Sequence, residues 1–221
     1  MQKTIHPDSE TLTRIGSSVR GRLSESPAIR RVPVEGAEIY TAEQFLSPVH
    51  CSHLIGLIDA VACPSLLAEE KDWEGYRTSF SGDIDPNDLV VRALDTKLSE
   101  LTGIDRACGE SAQGQRYNRG EFYHEHWDWF DTSAHYWPRE KRNGGQRSWT
   151  AMIYLNTVDE GGMTDFVHLG LKVQPIAGTL LIWNNALPDG TPNPLTMHAA
   201  RPVVRGVKYV VTKWFRARCW S

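Results

Sequence analysis

Tyr117-Asn118-Arg119-Gly120-Glu121-Phe122-Tyr123-His124-Glu125-His126-Trp127-Asp128 is the densest polar run in the chain. Turn chemistry at Asn118-Arg119-Gly120 introduces it, and the run that follows reads as a strand over 122–130. On a strand, residues two apart face the same way, so His124, His126 and Asp128 project from one face with Phe122 and Phe130 beside them. An imidazole and a carboxylate at that spacing can take adjacent positions on one metal ion. A third ligand must come from elsewhere, and His198 near the C-terminus is the natural candidate. Two histidines and one carboxylate on one face leave positions open, the arrangement that suits non-haem Fe(II) chemistry with oxygen. An H-x-D match alone is weak, since chance supplies roughly half a match in a chain of this composition. The second match here, His6-Pro7-Asp8, sits in a polar segment before a proline-restricted turn and reads as incidental.

Working outward, the apolar period from Arg116 onward is two. Strands are expected over 112–117, 148–156, 163–166, 171–175, 179–183, 195–199 and 209–216, separated by turns at Asn143-Gly144-Gly145, Glu160-Gly161-Gly162, Ala177-Gly178 and Pro188-Asp189-Gly190. Short strands without intervening helices mean an antiparallel sandwich or barrel. Before them, Ile39-Tyr40 suggests a short strand. Ser47-Pro48 and Asp85-Pro86 each read as a cap followed by proline at the first helical position. Both helices carry one apolar stripe and are expected to pack on one side of a sheet, the second stopping at Gly103. The expected organisation is a polar N-terminal arm at 1–34 and one domain at 35–221, with helical support over 47–103 and a core over 112–216. The charged segment 132–143 reads as a mobile loop.

With 221 residues, 24 Lys+Arg and 27 Asp+Glu, the net charge is −3, which excludes a broad cationic surface for nucleic acid or acidic lipid. No apolar run is long enough to span a bilayer and the first residues carry no secretory signal, so a cytoplasmic location is the default expectation. Cys51, Cys63, Cys108 and Cys219 are scattered and signal neither a zinc knuckle nor a disulfide framework.

The context of His126 sharpens the reading. Gly145-Gln146-Arg147-Ser148-Trp149-Thr150 leads to Tyr154-Leu155-Asn156 and Glu160-Gly161-Gly162-Met163-Thr164-Asp165-Phe166. Pro175, Gly178, His198-Ala199-Ala200-Arg201-Pro202-Val203, Gly206-Val207-Lys208 and Thr212-Lys213-Trp214-Phe215 follow. From Arg77-Thr78-Ser79 to Phe215 the chain resembles the prolyl 4-hydroxylase family of Fe(II)/2-oxoglutarate dioxygenases. The resemblance implies a mainly β fold, a double-stranded β-helix or jelly-roll core with supporting helices. It implies Fe(II) held by His126, Asp128 and His198, with 2-oxoglutarate and O2 as cosubstrates and ascorbate as a reductant. Lys208 is implied as partner of the far carboxylate of 2-oxoglutarate, with Tyr117, Thr164 and Trp214 as further contacts. The implied reaction hydroxylates an unactivated C–H and decarboxylates 2-oxoglutarate to succinate and CO2. A proline-containing peptide or protein is the expected substrate, and a small amino-acid-like metabolite the alternative. Met163 and Ala200 depart from the family's usual glutamate and cysteine, neither of which is a ligand.

The residues support part of this independently. Lys208, Val210, Thr212 and Trp214 share strand parity, and an inward lysine without a partner predicts an anion beside it. His124, Tyr123, Arg119 and Arg147 are candidates for meeting substrate, lining the pocket or supporting the metal ligands from behind. Trp127 and Trp129 fall on the opposite parity from the ligands and read as packing residues. Two other classes use the same histidines. A cupin-type metal protein or a metallohydrolase would recruit His124, His126 and Asp128, though the histidine that completes H-x-H-x-D-H is Trp129 here.

Overall fold

The computed structural model describes residues 7–65 and 76–220. In chain order the elements are α1 Ser9–Glu25, β1 Arg30–Arg31, β2 Ile39–Ala42, α2 Pro48–Val61, β3 Cys63–Pro64, β4 Phe80–Asp83 and α3 Leu89–Thr102. Then come β5 Gln113–Tyr117, β6 Tyr123–His126, α4 Trp137–Arg142, β7 Arg147–Tyr154, β8 Glu160–Gly161 and β9 Thr164–Phe166. The remainder are β10 Leu171–Val173, β11 Leu180–Asn184, β12 His198–Ala200, β13 Val203–Arg205 and β14 Lys208–Arg216.

Strand alternation explains how these elements assemble. Along β14, Val211 and Phe215 point to one side with Trp149, Ala151 and Ile153 of β7 and Leu180 and Ile182 of β11. These bury against Leu54 and Ile58 of α2 and Val91, Leu94 and Leu98 of α3. Each such large apolar side chain contributes roughly 1.5–3 kcal/mol on burial. The alternate residues face the other way, where Met152, Tyr154, Leu181, Trp183 and Val210 meet Phe166 of β9. The result is an eight-stranded sheet ordered β1-β2-β11-β7-β14-β5-β4-β3, helices on its outer face, and a four-stranded sheet β10-β9-β12-β6 across its inner face. Every pairing between strands of these sheets is antiparallel. This is the expected β sandwich of jelly-roll type, and its interior opens between the two sheets. No helix among the described residues is long and apolar enough to cross a membrane.

Several local expectations are corrected. Residues 9–25, within the expected polar arm, form a helix, with Val19 and Leu23 buried in the core shared with α3 and β7 and Leu12 packed with Ala186 and Ala217. Abundant Ser, Arg and Thr dilute that stripe, and tertiary contact rather than propensity stabilises it. Met1–His6 lie outside the described residues. Ser47 caps α2 as expected, accepting from the His50 N–H ahead of Pro48. The Asp85-Pro86 pair, in contrast, makes a turn. Asp88 is the cap of α3, accepting from the N–H groups of Val90 and Val91, and Gly103 closes the helix at φ 72°. Segment 132–143 contains α4, with Trp137 and Glu140 buried, and is not simply a loop. The polar strand is shorter than 122–130, ending at His126. Finally, Cys108 and Cys219 form a disulfide across 111 residues. Their spacing carries no signal because the fold alone brings them together, Gly109 bridging Phe215 and Glu110 N–H donating to Trp214 O.

Candidate metal centre

His126 on β6 and His198 on β12 are cross-strand partners in the smaller sheet. Asp128 follows two residues beyond the end of β6. One ligand atom from each of the three lies within 4.8 Å of the others. The pairing of β12 with β6 slips between His198/His126 and Ala200/Tyr123, so three residues of β6 span two of β12. Such a bulge changes which side chains share a face. Tyr123 therefore stacks on His126 at 3.7 Å between centroids, and the His124 side chain points outward, 48% exposed.

The ligand atoms are held from behind. His126 Nδ1 contacts His124 O at 2.8 Å and His198 Nδ1 contacts Thr196 O at 3.0 Å. A carbonyl accepts only from a protonated Nδ1, so each ring offers its Nε2 to the centre. Thr150 Oγ1 donates to Asp128 Oδ2 at 2.7 Å, and Asn185 Nδ2 donates to that hydroxyl at 2.9 Å. Burial and the neighbouring His198 push the His126 pKa down to about 3, leaving a neutral ring ready to ligate. Burial would raise the Asp128 pKa, but His198, His126 and Arg147 outweigh it and hold the carboxylate below its usual range. Two imidazoles that offer Nε2 and one carboxylate fit a divalent first-row metal with open positions.

A cavity of about 220 Å³ extends from this centre along the inner face of β14. Lys208, Val210, Thr212 and Trp214 all line it, together with Tyr117, Thr164 and Trp183. Six residues of strand separate Lys208 from Trp214, about 20 Å. Lys208 is 1% exposed and has no hydrogen bond or ion pair among the described residues. It lies 5.2 Å from the Tyr117 ring and 5.6 Å from the Tyr154 ring, and burial pushes its pKa down to about 7. Nearby, Tyr154 Oη donates to Thr164 Oγ1 at 2.7 Å and Tyr117 Oη to Gln115 Oε1 at 2.8 Å. Among the described residues, the buried side-chain atoms of the cavity lining without a partner are Arg77 Nη2, Trp183 Nε1 and Trp214 Nε1. With Lys208, these are all donors. A cavity whose spare groups all donate is built for an acceptor-rich ligand such as a carboxylate.

The structure thus gathers His126, Asp128, His198, Lys208, Tyr117, Thr164, Trp214, Tyr123 and Arg147 around one cavity. Arg147 is gripped by Glu110 at 2.6 and 2.7 Å and lies 4.1 Å from the Trp214 ring. Arg119 is exposed and outside the lining, and His124 stands behind the centre, meeting His126 through its carbonyl rather than its ring. Trp127 is corrected in the other direction: β6 has ended before it, parity no longer applies, and its indole lines the cavity. The sequence reading missed Arg77, whose guanidinium lies 4.6 Å from the Tyr123 ring, and the pair Thr150 and Asn185. Thr150 shares strand parity with Met152, a cavity residue, which is a signal that was there to use. Nothing in the sequence marks Asn185.

Residues 112–216 match the model of the 2OG-Fe(II) oxygenase superfamily. Among curated proteins, the chain is 31% identical over 204 residues to probable prolyl 4-hydroxylase 10 of Arabidopsis thaliana, covering 81% of this chain and 68% of that protein. It is 29% identical to probable prolyl 4-hydroxylase 4 of the same plant, covering 79% of this chain and 66% of the relative. The chain thus spans just under two thirds of the length of the first curated relatives it matches. Among solved structures, the viral collagen prolyl hydroxylase of Paramecium bursaria Chlorella virus-1, in its 2OG complex, superposes with a TM-score of 0.64 at 27% identity. That match covers 80% of this chain and 95% of the viral one. A Trichoplax adhaerens prolyl hydroxylase, at 16% identity, shares the fold with a TM-score of 0.62 over 98% of this chain.

Proposed function

The chain belongs to the prolyl 4-hydroxylase family of 2OG-Fe(II) oxygenases, and from that premise we propose that it hydroxylates proline in a peptide or protein. The observation that carries the reading is a buried Lys208, without a hydrogen-bond or ion-pair partner among the described residues, in the same donor-rich cavity as the His126, Asp128 and His198 cluster. When bound, Fe(II) and 2-oxoglutarate supply the oxidising chemistry, in which 2-oxoglutarate and O2 give succinate, CO2 and a hydroxylated substrate.

The chain's own work is geometric and electrostatic. His126 and His198 would present Nε2 and Asp128 its carboxylate to the iron, each fixed by the carbonyl or hydroxyl behind it. Lys208 would take the far carboxylate of 2-oxoglutarate, with Tyr117 and Thr164 as hydroxyl partners. Trp214 lies six strand positions away, with Arg147 against its ring, at the end left for substrate. The walls of Trp183, Met152 and Val210 keep water from the centre. Ascorbate as a reductant that maintains Fe(II) belongs to the same proposal.

The test supplies purified protein with Fe(II), 2-oxoglutarate, O2 and a proline-rich peptide. The expected outcome is succinate in step with a mass gain of one oxygen atom on proline, lost in Asp128→Ala and His198→Ala. Succinate that forms only with free proline or another small amino acid would move the substrate from peptide to metabolite.

A further inference from the structure

Of the described residues lining the cavity, only Trp127 is exposed, at 36%, and it therefore marks the mouth. Single exposed apolar side chains are common and usually mean nothing. This one differs in where it sits and in how it is held. It lies between His126 and Asp128 in sequence. Its Nε1 donates to Pro194 O at 3.1 Å, in the short 3-10 turn 194–196 that also carries the carbonyl orienting His198. Trp129 lies beside it, ring centroids 5.2 Å apart and planes tilted by 31°. The indole is thus fixed on both sides relative to all three cluster residues. Its polar edge is already satisfied, so what it offers is an apolar, electron-rich surface.

We propose that Trp127 is a specificity-determining residue: its indole stacks on a proline flanking the one to be hydroxylated, so that extended, proline-rich peptides are selected. The inference rests on the peptidyl-proline reading above. A prolyl ring presents a compact apolar face of C–H groups, and aromatic-lined grooves are the recurring receptors for proline-rich segments in the polyproline conformation. Such a segment advances about 3.1 Å per residue, so a neighbour one or two places from the target proline lies about 3–6 Å along the chain from it. A platform next in sequence to two of the cluster residues is positioned to meet that neighbour. Arg147 and Trp214 line the same cavity, leaving a cleft with aromatic rings from both sheets.

The experiment measures binding to the enzyme loaded anaerobically with Fe(II) and 2-oxoglutarate, by fluorescence anisotropy. Two labelled probes are used, decaproline and a glycine/serine decapeptide carrying one proline. Trp127→Leu and Trp127→Gln are expected to weaken decaproline by about tenfold and the single-proline peptide by less than about threefold. Trp127→Tyr should keep decaproline within about threefold of wild type. The visible Fe(II)–2-oxoglutarate absorption band serves as the check that each variant is folded. Equal losses on both probes, or decaproline bound by the Leu and Gln variants as by wild type, would overturn the assignment. If wild type binds neither probe while the band is intact, the peptidyl reading itself fails, and the role of Trp127 with it.

Discussion

Lys208 shows how much a single residue can reveal about a ligand. Its folded pKa is about 7 against an ordinary 10.5, because burial disfavours the charged form. Below about pH 7 the folded protein carries the full cost of that buried charge; between about 7 and 10.5 only the unfolded chain holds the proton, so stability from this group rises with pH. A bound carboxylate would restore the charge. At about pH 8.5, 2-oxoglutarate binding should therefore take up close to one proton per site, and at about pH 6 almost none. Calorimetry in buffers of different ionisation enthalpy reads this directly, and Lys208→Met should abolish the uptake. Equal uptake at both pH values would place the far carboxylate elsewhere. Thr150 makes a second test. Thr150→Val removes the donor to Asp128 and leaves Asn185 Nδ2 without its acceptor. Metal affinity should fall about 10–100-fold with the fold retained, as measured by Co(II) titration. The cluster residues were legible because the H-x-D pair and the distal histidine sit in an ordered set of motifs. Asn185 was not, since an asparagine that orients a threonine that orients a ligand leaves no local pattern.

Among the elements, those with a strong period or a cap were legible and those shaped by the fold were not. Alternation along β14 assigned Lys208, Val210, Thr212 and Trp214 to the interior, and they line the cavity. The same parity argument misplaced His124 and Trp127, because a bulge and a strand end intervene at β6. No residue type announces either. At α3, Asp85-Pro86 imitates a helix start, yet the bonds to Val90 and Val91 N–H belong to Asp88. Asp88→Ala should cost about 1 kcal/mol in urea unfolding and Asp85→Ala markedly less. The reverse order would restore the cap to Asp85. Helix α1 was hidden by its polar composition, since its three buried apolar residues gain their stability only from tertiary contact, Val19 and Leu23 in the main core and Leu12 with Ala186 and Ala217.

For the whole molecule, the eight-stranded sheet is the structural divide. One face packs against helices and the other carries chemistry, so core mutations on the outer face should change stability before they change turnover. The Cys108–Cys219 disulfide ties β14's end to the segment bearing Glu110, which in turn grips Arg147. Closing a loop of 111 residues, it should contribute roughly 2–5 kcal/mol. Reductant or Cys219→Ala is expected to lower the urea midpoint accordingly, and an unchanged midpoint would show that the strand pairing alone holds this end. Fe(II) and 2-oxoglutarate are expected to meet in this one cavity. The most direct test is an anaerobic titration of Fe(II) and 2-oxoglutarate into wild type and Asp128→Ala, followed by visible absorption. A metal-to-ligand charge-transfer band in wild type and none in the variant is the predicted result. No band in wild type, with zinc bound tightly at the same three residues, would contradict the oxygenase and favour a cupin-type or hydrolytic metal centre.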